Sequence, residues 1–77
     1  TEAERVVENT VIRDVLNAFL ADLPKQNRRI FMRRYGYCSS IGEIAAAFDL
    51  TEGNVRTILS RIRNQLKQDL EKAGVVL

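Results

Sequence analysis

The sequence predicts an all-α fold, a small helical bundle of about four helices with no sheet. Three observations predict it. Apolar residues recur at helical spacing in the long segments, as in Val7, Val11, Val15 and Phe19, and again in Val55, Ile58, Leu59, Ile62, Leu66 and Leu70. Two helix-start signals stand close together, Ser40-Ile41-Gly42-Glu43 and Thr51-Glu52. Pro24, Gly36 and Gly74 punctuate the remaining stretches. At 77 residues the chain holds one domain with a small but workable helical core.

The first helix is expected from about Ala3 to Ala21. Val7, Val11, Ile12, Val15, Leu16 and Phe19 cover roughly half its circumference, while Val6 and Leu20 fall outside that arc. So wide an apolar face exceeds what one neighbour needs. Either several helices of its own domain cover it, or it docks a partner. The second helix is expected to open at Leu23-Pro24, with Pro in the first turn where its missing N–H costs nothing, and to end at Tyr35-Gly36. Ile30, Phe31 and Tyr35 make an apolar stripe on it. Arg28, Arg29, Arg33 and Arg34 surround that stripe, as a solvated face or as contacts to phosphates or a protein.

The third helix, about Ile41 to Phe48, starts with a capping box: the Ser40 hydroxyl can accept from the amide of Glu43, and Glu43 can reach back to the amide of Ser40. Asp49 stands at the turn where Gly is usual, and Asp tolerates the left-handed conformation better than most residues. Thr51 caps the fourth helix, and Glu52 suits its dipole. That helix is expected to reach Lys72 before Gly74 stops it, and Val75, Val76 and Leu77 form a tail that packs or frays. Ile44, Ala45, Phe48, Leu50, Val55 and Ile58 sit where two short-coupled helices must touch. Residues 44–63 therefore read as a helix-turn-helix, which lays its second helix in the major groove of DNA.

On the fourth helix, Val55, Ile58, Leu59, Ile62, Leu66 and Leu70 fall in an arc about 120° wide that must face inward. Arg56, Ser60, Arg63 and Lys67 border it, and Asn54, Thr57 and Arg61 lie further round. Gly53 leaves room for a phosphate at the helix start, where free amides favour an anion. Gly53, Asn54, Arg56, Thr57, Ser60, Arg61 and Arg63 are the candidate DNA-binding residues. Arg can donate two bonds to guanine, and Ser or Thr can bond to bases or phosphates. The plainer alternative is that Arg56 and Arg61 touch only phosphate or solvate the helix. Gln65, Gln68, Asp69 and Glu71 suit solvent better than DNA.

Charge agrees with this placement. Residues 1–24 carry a net −3, residues 25–67 a net +6 and residues 68–77 a net −1. The basic charge thus sits with the helix-turn-helix and the helix before it, the footprint expected for a polyanion. The chain has no His, and its single Cys38 has no His partner, so neither nucleophilic catalysis nor a metal site is expected, and no cofactor. Cys38 is expected to be a partly buried small residue before the cap. A lone Cys fits a reducing cytoplasm, and no apolar run is long enough to span a membrane. A first residue other than Met suggests a piece of a longer protein.

Residues 23–70 resemble region 4 of bacterial RNA polymerase sigma factors of the sigma-70 family, especially the extracytoplasmic-function group. The resemblance lies in Leu23-Pro24 opening a helix that ends in Arg34-Tyr35, then Ile41-Gly42-Glu43-Ile44-Ala45, then Gly53-Asn54-Val55-Arg56-Thr57, then Leu59-Ser60-Arg61-Ile62-Arg63 with Leu66. It implies a winged-helix-like, sigma region 4 fold without a sheet, over residues 23–77. Residues 1–22 are then an N-terminal helix that includes part of a linker. It implies recognition of the −35 promoter element in double-stranded DNA and docking on the β-flap of core RNA polymerase. Ile30, Phe31 and Tyr35 are candidates for the flap by that analogy, and anti-sigma factors can cover the same surfaces. Two rivals remain: an independent helix-turn-helix regulator binding operators as a dimer, and a protein-interaction module that does not bind DNA.

Overall fold

The computed structural model describes residues 2–75, with side chains from Asn9 to Val75. Four helices follow one another: α1 (Glu2–Asp22), α2 (Lys25–Tyr35), α3 (Ile41–Phe48) and α4 (Glu52–Lys72). There is no strand among the described residues. The chain divides into two compact units, one of Leu23–Arg63 and one of α1 with the chain from Asn64 onward.

The Leu23–Arg63 unit is built around Ile30 of α2, Ile44 and Ala45 of α3, and Val55 and Leu59 of α4. Ile30, Ile44, Val55 and Leu59 are wholly buried. Burying each such side chain contributes about 1.5–3 kcal/mol. Ile41, Phe48, Leu50 and Ile58 pack against this cluster. Ala45, the small residue between Ile44 and Phe48, is also buried, as part of this cluster.

Local chemistry sets the joints. Both halves of the α3 capping box form: the Ser40 hydroxyl accepts from Glu43 N–H and a Glu43 carboxylate oxygen accepts from Ser40 N–H, each at 3.0 Å. Asp49 takes the left-handed conformation, φ 54° and ψ 47°, as the turn requires. Thr51 Oγ1 accepts from Asn54 N–H at 3.1 Å and caps α4.

The start of α2 differs from expectation, while its end at Tyr35, with Gly36 after it, agrees. Pro24 is not in the first turn but just before it, with φ −53° and ψ 146°. Its carbonyl still accepts from Arg28 N–H at 2.9 Å, so Pro24 acts as the residue that launches the helix. Gly36 keeps helical dihedrals, φ −89° and ψ −44°. Gly is needed there for space: a Cβ would stand 2.7 Å from the Met32 carbonyl oxygen. The left-handed residue that turns the chain is Cys38, at φ 54°. Cys38 is exposed, not partly buried. A loop that must reverse direction between Arg33, whose carbonyl accepts from Ser39 N–H, and the Ser40 cap leaves its side chain outside.

In the other unit, α1 buries Phe19 and half-buries Val11, Ile12, Val15, Leu16 and Leu20. Leu20, placed outside the apolar arc by the helical wheel, is therefore also partly covered. The side chains of Val6 and Val7 lie outside the described residues. The end of α4 closes with Gly74 at φ 82°, Val75 N–H donating to the Leu70 carbonyl and Gly74 N–H to that of Glu71, each at 3.0 Å. This is a Schellman closure, whose usual apolar contact explains why Val75 is buried rather than frayed. Val76 and Leu77 lie outside the described residues.

Candidate nucleic-acid interface

The core dictates which side of α4 stays open. Val55, Leu59 and Ile62 are buried and Ile58 packs against the cluster, so the polar residues between them are left exposed. Gly53, Asn54, Arg56, Thr57, Ser60, Arg61 and Arg63 are all exposed, and all lie on α4. The helix is thus held by one side and offers the first turns of the other.

These residues are not equally available. An Arg56 guanidinium nitrogen lies 3.7 Å from a Glu52 carboxylate oxygen, an i,i+4 pair with both side chains more than half exposed. Glu52 also reaches toward α3, because a Cβ on Gly42 would stand 3.0 Å from its carboxylate. The Thr57 hydroxyl donates to the Gly53 carbonyl at 3.0 Å, which leaves its lone pairs for an incoming donor. Arg63 donates to the Tyr35 hydroxyl at 2.8 Å. Gly53 faces open space; an added Cβ would meet only Thr51 Oγ1, at 4.0 Å. Nothing in the fold of this unit demands a glycine there for packing.

The arginines of α2 turn out to have structural partners. The guanidinium carbons of Arg29 and Arg33 lie 5.7 Å and 5.9 Å from the centre of the Phe48 ring, at the outer reach of a cation–π contact. Arg34 donates to the Ser39 carbonyl at 3.0 Å and holds the loop before α3. Arg28 lies at 3.5 Å from the Leu23 carbonyl oxygen. Within α2, Ile30 is wholly buried and Phe31 is 8% exposed, while Tyr35 is 47% exposed and its ring packs at a tilt of 46° against Phe31 with ring centres 4.9 Å apart. Ile30 has no surface to offer a partner. The exposed large apolar side chains of this unit are Met32, Tyr35 and Tyr37. Met32 and Tyr37 were missed from the sequence, since a helical wheel does not say which apolar residue a neighbour covers. Glu52 was read only as a dipole partner, although its i,i+4 spacing to Arg56 was visible.

The Glu43 carboxyl is held below its ordinary pKa, first by the Ser40 backbone N–H and then by the Ser40 hydroxyl. It serves the cap, not catalysis. Among the described residues no group of three or more His, Cys, Asp or Glu side chains could hold a metal ion, and no helix is long and apolar enough to cross a membrane.

A helix-turn-helix whose second helix leaves a basic, polar face open is a DNA-binding device, and comparison with known families agrees. The profile of the family described as Sigma-70, region 4 matches residues 13–66, most of the chain. The chain belongs to that family. Comparison with curated proteins gave no match. As a sigma region 4, the domain binds DNA in transcription initiation, and its family is a DNA-binding rather than a catalytic one. Four helices, with no strand among the described residues, fit region 4. The match begins inside α1 and ends in α4, so it takes in the whole helix-turn-helix.

Proposed function

We propose that this region 4 reads the −35 promoter element through α4 and docks on the β-flap of RNA polymerase, as part of a cytoplasmic sigma factor of the extracytoplasmic-function group. The observation that carries the reading is the two-sidedness of α4: Val55, Leu59 and Ile62 are buried, while Asn54, Arg56, Thr57, Ser60 and Arg61 are exposed on its first turns. Asn54, Arg56, Thr57, Ser60 and Arg61 are the side chains that reach base edges or neighbouring phosphates. The open helix start at Gly53 accepts a backbone phosphate, and Arg63 a second one.

For the flap, Met32, Tyr35 and Tyr37 offer the contact, because they are exposed at the end of α2 and just after it. Ile30 and Phe31 act from beneath, by fixing α2. An anti-sigma factor that covered this patch would block the same docking.

The test is a titration of the chain against the isolated flap domain, with Met32→Ala and Tyr37→Ala as surface variants. Phe31→Ala is a poor control because it would open a cavity. Saturable binding that both variants weaken supports docking. No binding by a folded chain removes it and turns attention to an independent regulator, whose mark would be a dimer on a palindromic site.

A further inference from the structure

We propose that Tyr35 and Arg63 act as one phosphate-binding pair, in which Tyr35 is the positioning residue for Arg63 and a second donor to the same stretch of DNA backbone. The inference rests on the reading that α4 lies on duplex DNA. The bond between them is short, 2.8 Å, and joins residues 28 positions apart, one at the end of α2 and one on α4. It is therefore a tertiary contact and not a by-product of helix spacing.

The donor count makes the pair suited to an anion. A guanidinium carries about five N–H donors in a fixed fork, and the bond to Tyr35 uses one edge of it. The remaining donors stay available, and Arg63 is exposed. The Tyr35 oxygen accepts from Arg63, so its own O–H proton is free to donate elsewhere. Two charge-assisted donors thus stand side by side, which is the arrangement a phosphate oxygen pair favours. Tyr35 is itself held, because its ring packs at a tilt against the nearly buried Phe31, with ring centres 4.9 Å apart. Arg63 lies on the same border stripe of α4 as Arg56 and Ser60, so a backbone tracking that stripe passes the pair.

The expected gain is one of preorganisation. A free arginine loses rotamer freedom when it grips a phosphate, and Tyr35 removes part of that cost before the encounter. Tyr35→Phe keeps the ring on Phe31 and deletes only the hydroxyl. It should weaken binding about two- to tenfold, the range for one immobilised side chain. Arg63→Ala should lower the slope of log affinity against log salt by about 0.9, the mark of one lost phosphate contact.

The experiment is a fluorescence-anisotropy titration of the chain on a short mixed-sequence DNA duplex over a salt series, for wild type, Tyr35→Phe, Arg63→Ala and the double variant. Arg61→Ala, titrated on a duplex that the wild-type chain selects from a random-sequence pool, is the separate check on the reading itself. The expected result is that Tyr35→Phe weakens binding in the wild type and costs clearly less once Arg63 is Ala, with helicity unchanged. Arg63→Ala that weakens binding while Tyr35→Phe does nothing, or a Tyr35→Phe loss of equal size in both backgrounds, overturns the pair but leaves α4 on DNA. Unchanged binding for both Arg61→Ala and Arg63→Ala overturns the reading and the pair with it.

Discussion

Replacing Glu52 by Gln should tighten DNA binding while slightly weakening the fold. Glu52 holds Arg56 through a pair at 3.7 Å in which both side chains are more than half exposed, so solvent screens it heavily. An exposed i,i+4 pair of this kind contributes about 0.3–0.5 kcal/mol, and that amount opposes any transfer of Arg56 to DNA. The same carboxylate stands at the start of the helix offered to DNA and repels phosphates. At about 7 Å in water that repulsion is roughly 0.6 kcal/mol, reduced further by salt. Together the two effects predict affinity about two- to fivefold higher for Glu52→Gln, with a steeper salt dependence as Arg56 becomes free for a phosphate. The fold should lose about 0.3–1 kcal/mol, because a carboxylate in the first turn favours the helix dipole. Anisotropy titration on a mixed-sequence duplex reads the first change, and thermal melting the second. In an Arg56→Ala background the gain in affinity should shrink. Weaker binding by Glu52→Gln would refute the reasoning and point instead to Glu52 as an acceptor for a base, such as the cytosine amino group.

Cys38→Gly should stabilise the chain by about 0.5–1 kcal/mol: a non-glycine residue at φ 54° is strained by about 1–2 kcal/mol, and the extra freedom of unfolded Gly offsets part of the gain. A melting temperature that falls would contradict it. Gly53→Ala should raise stability by up to about 0.5–1 kcal/mol yet lower DNA affinity, since the new Cβ meets nothing in the protein but occupies the proposed phosphate approach. Melting and duplex titration must move in opposite directions for that account to stand. For Glu43, the folded pKa is depressed, so its contribution is fully present above the ordinary value of 4.5 and is lost as pH falls through the lowered folded value. A melting-temperature series in acid should therefore fall less steeply for Glu43→Gln than for the wild type, and parallel curves would refute the cap as the cause.

Helix boundaries were most legible where the deciding chemistry is local. Ser40, Glu43, Asp49 and Thr51 act on amides or dihedrals within a few residues of themselves, so α3, its turn and the start of α4 could be read from neighbouring letters. The inward residues of α4 were legible for a similar reason, through their period. What escaped depends on residues distant in sequence. The burial of Ile30 and Phe31 depends on the elements that come to lie over α2. The seats of Arg29 and Arg33 on Phe48, and of Arg63 on Tyr35, join different helices and leave no periodic trace. The exposure of Cys38 escaped because nothing in the neighbouring letters marks the left-handed turn at that residue, whereas Gly36 is there to clear the Met32 carbonyl.

The central claim is that α4 reads base edges, and one measurement addresses it most directly. The wild-type chain and Arg61→Ala would each select duplexes from a random-sequence pool at the same salt concentration. Among the described residues Arg61 makes no hydrogen bond or ion pair, so its replacement disturbs no internal contact of that kind. The account predicts a recovered motif that Arg61→Ala relaxes at one base pair, with a loss of about 1–3 kcal/mol on the preferred sequence and little on others. An equal loss on every sequence would make Arg61 a phosphate ligand, and a motif unchanged in both sharpness and strength would contradict base reading by this helix face.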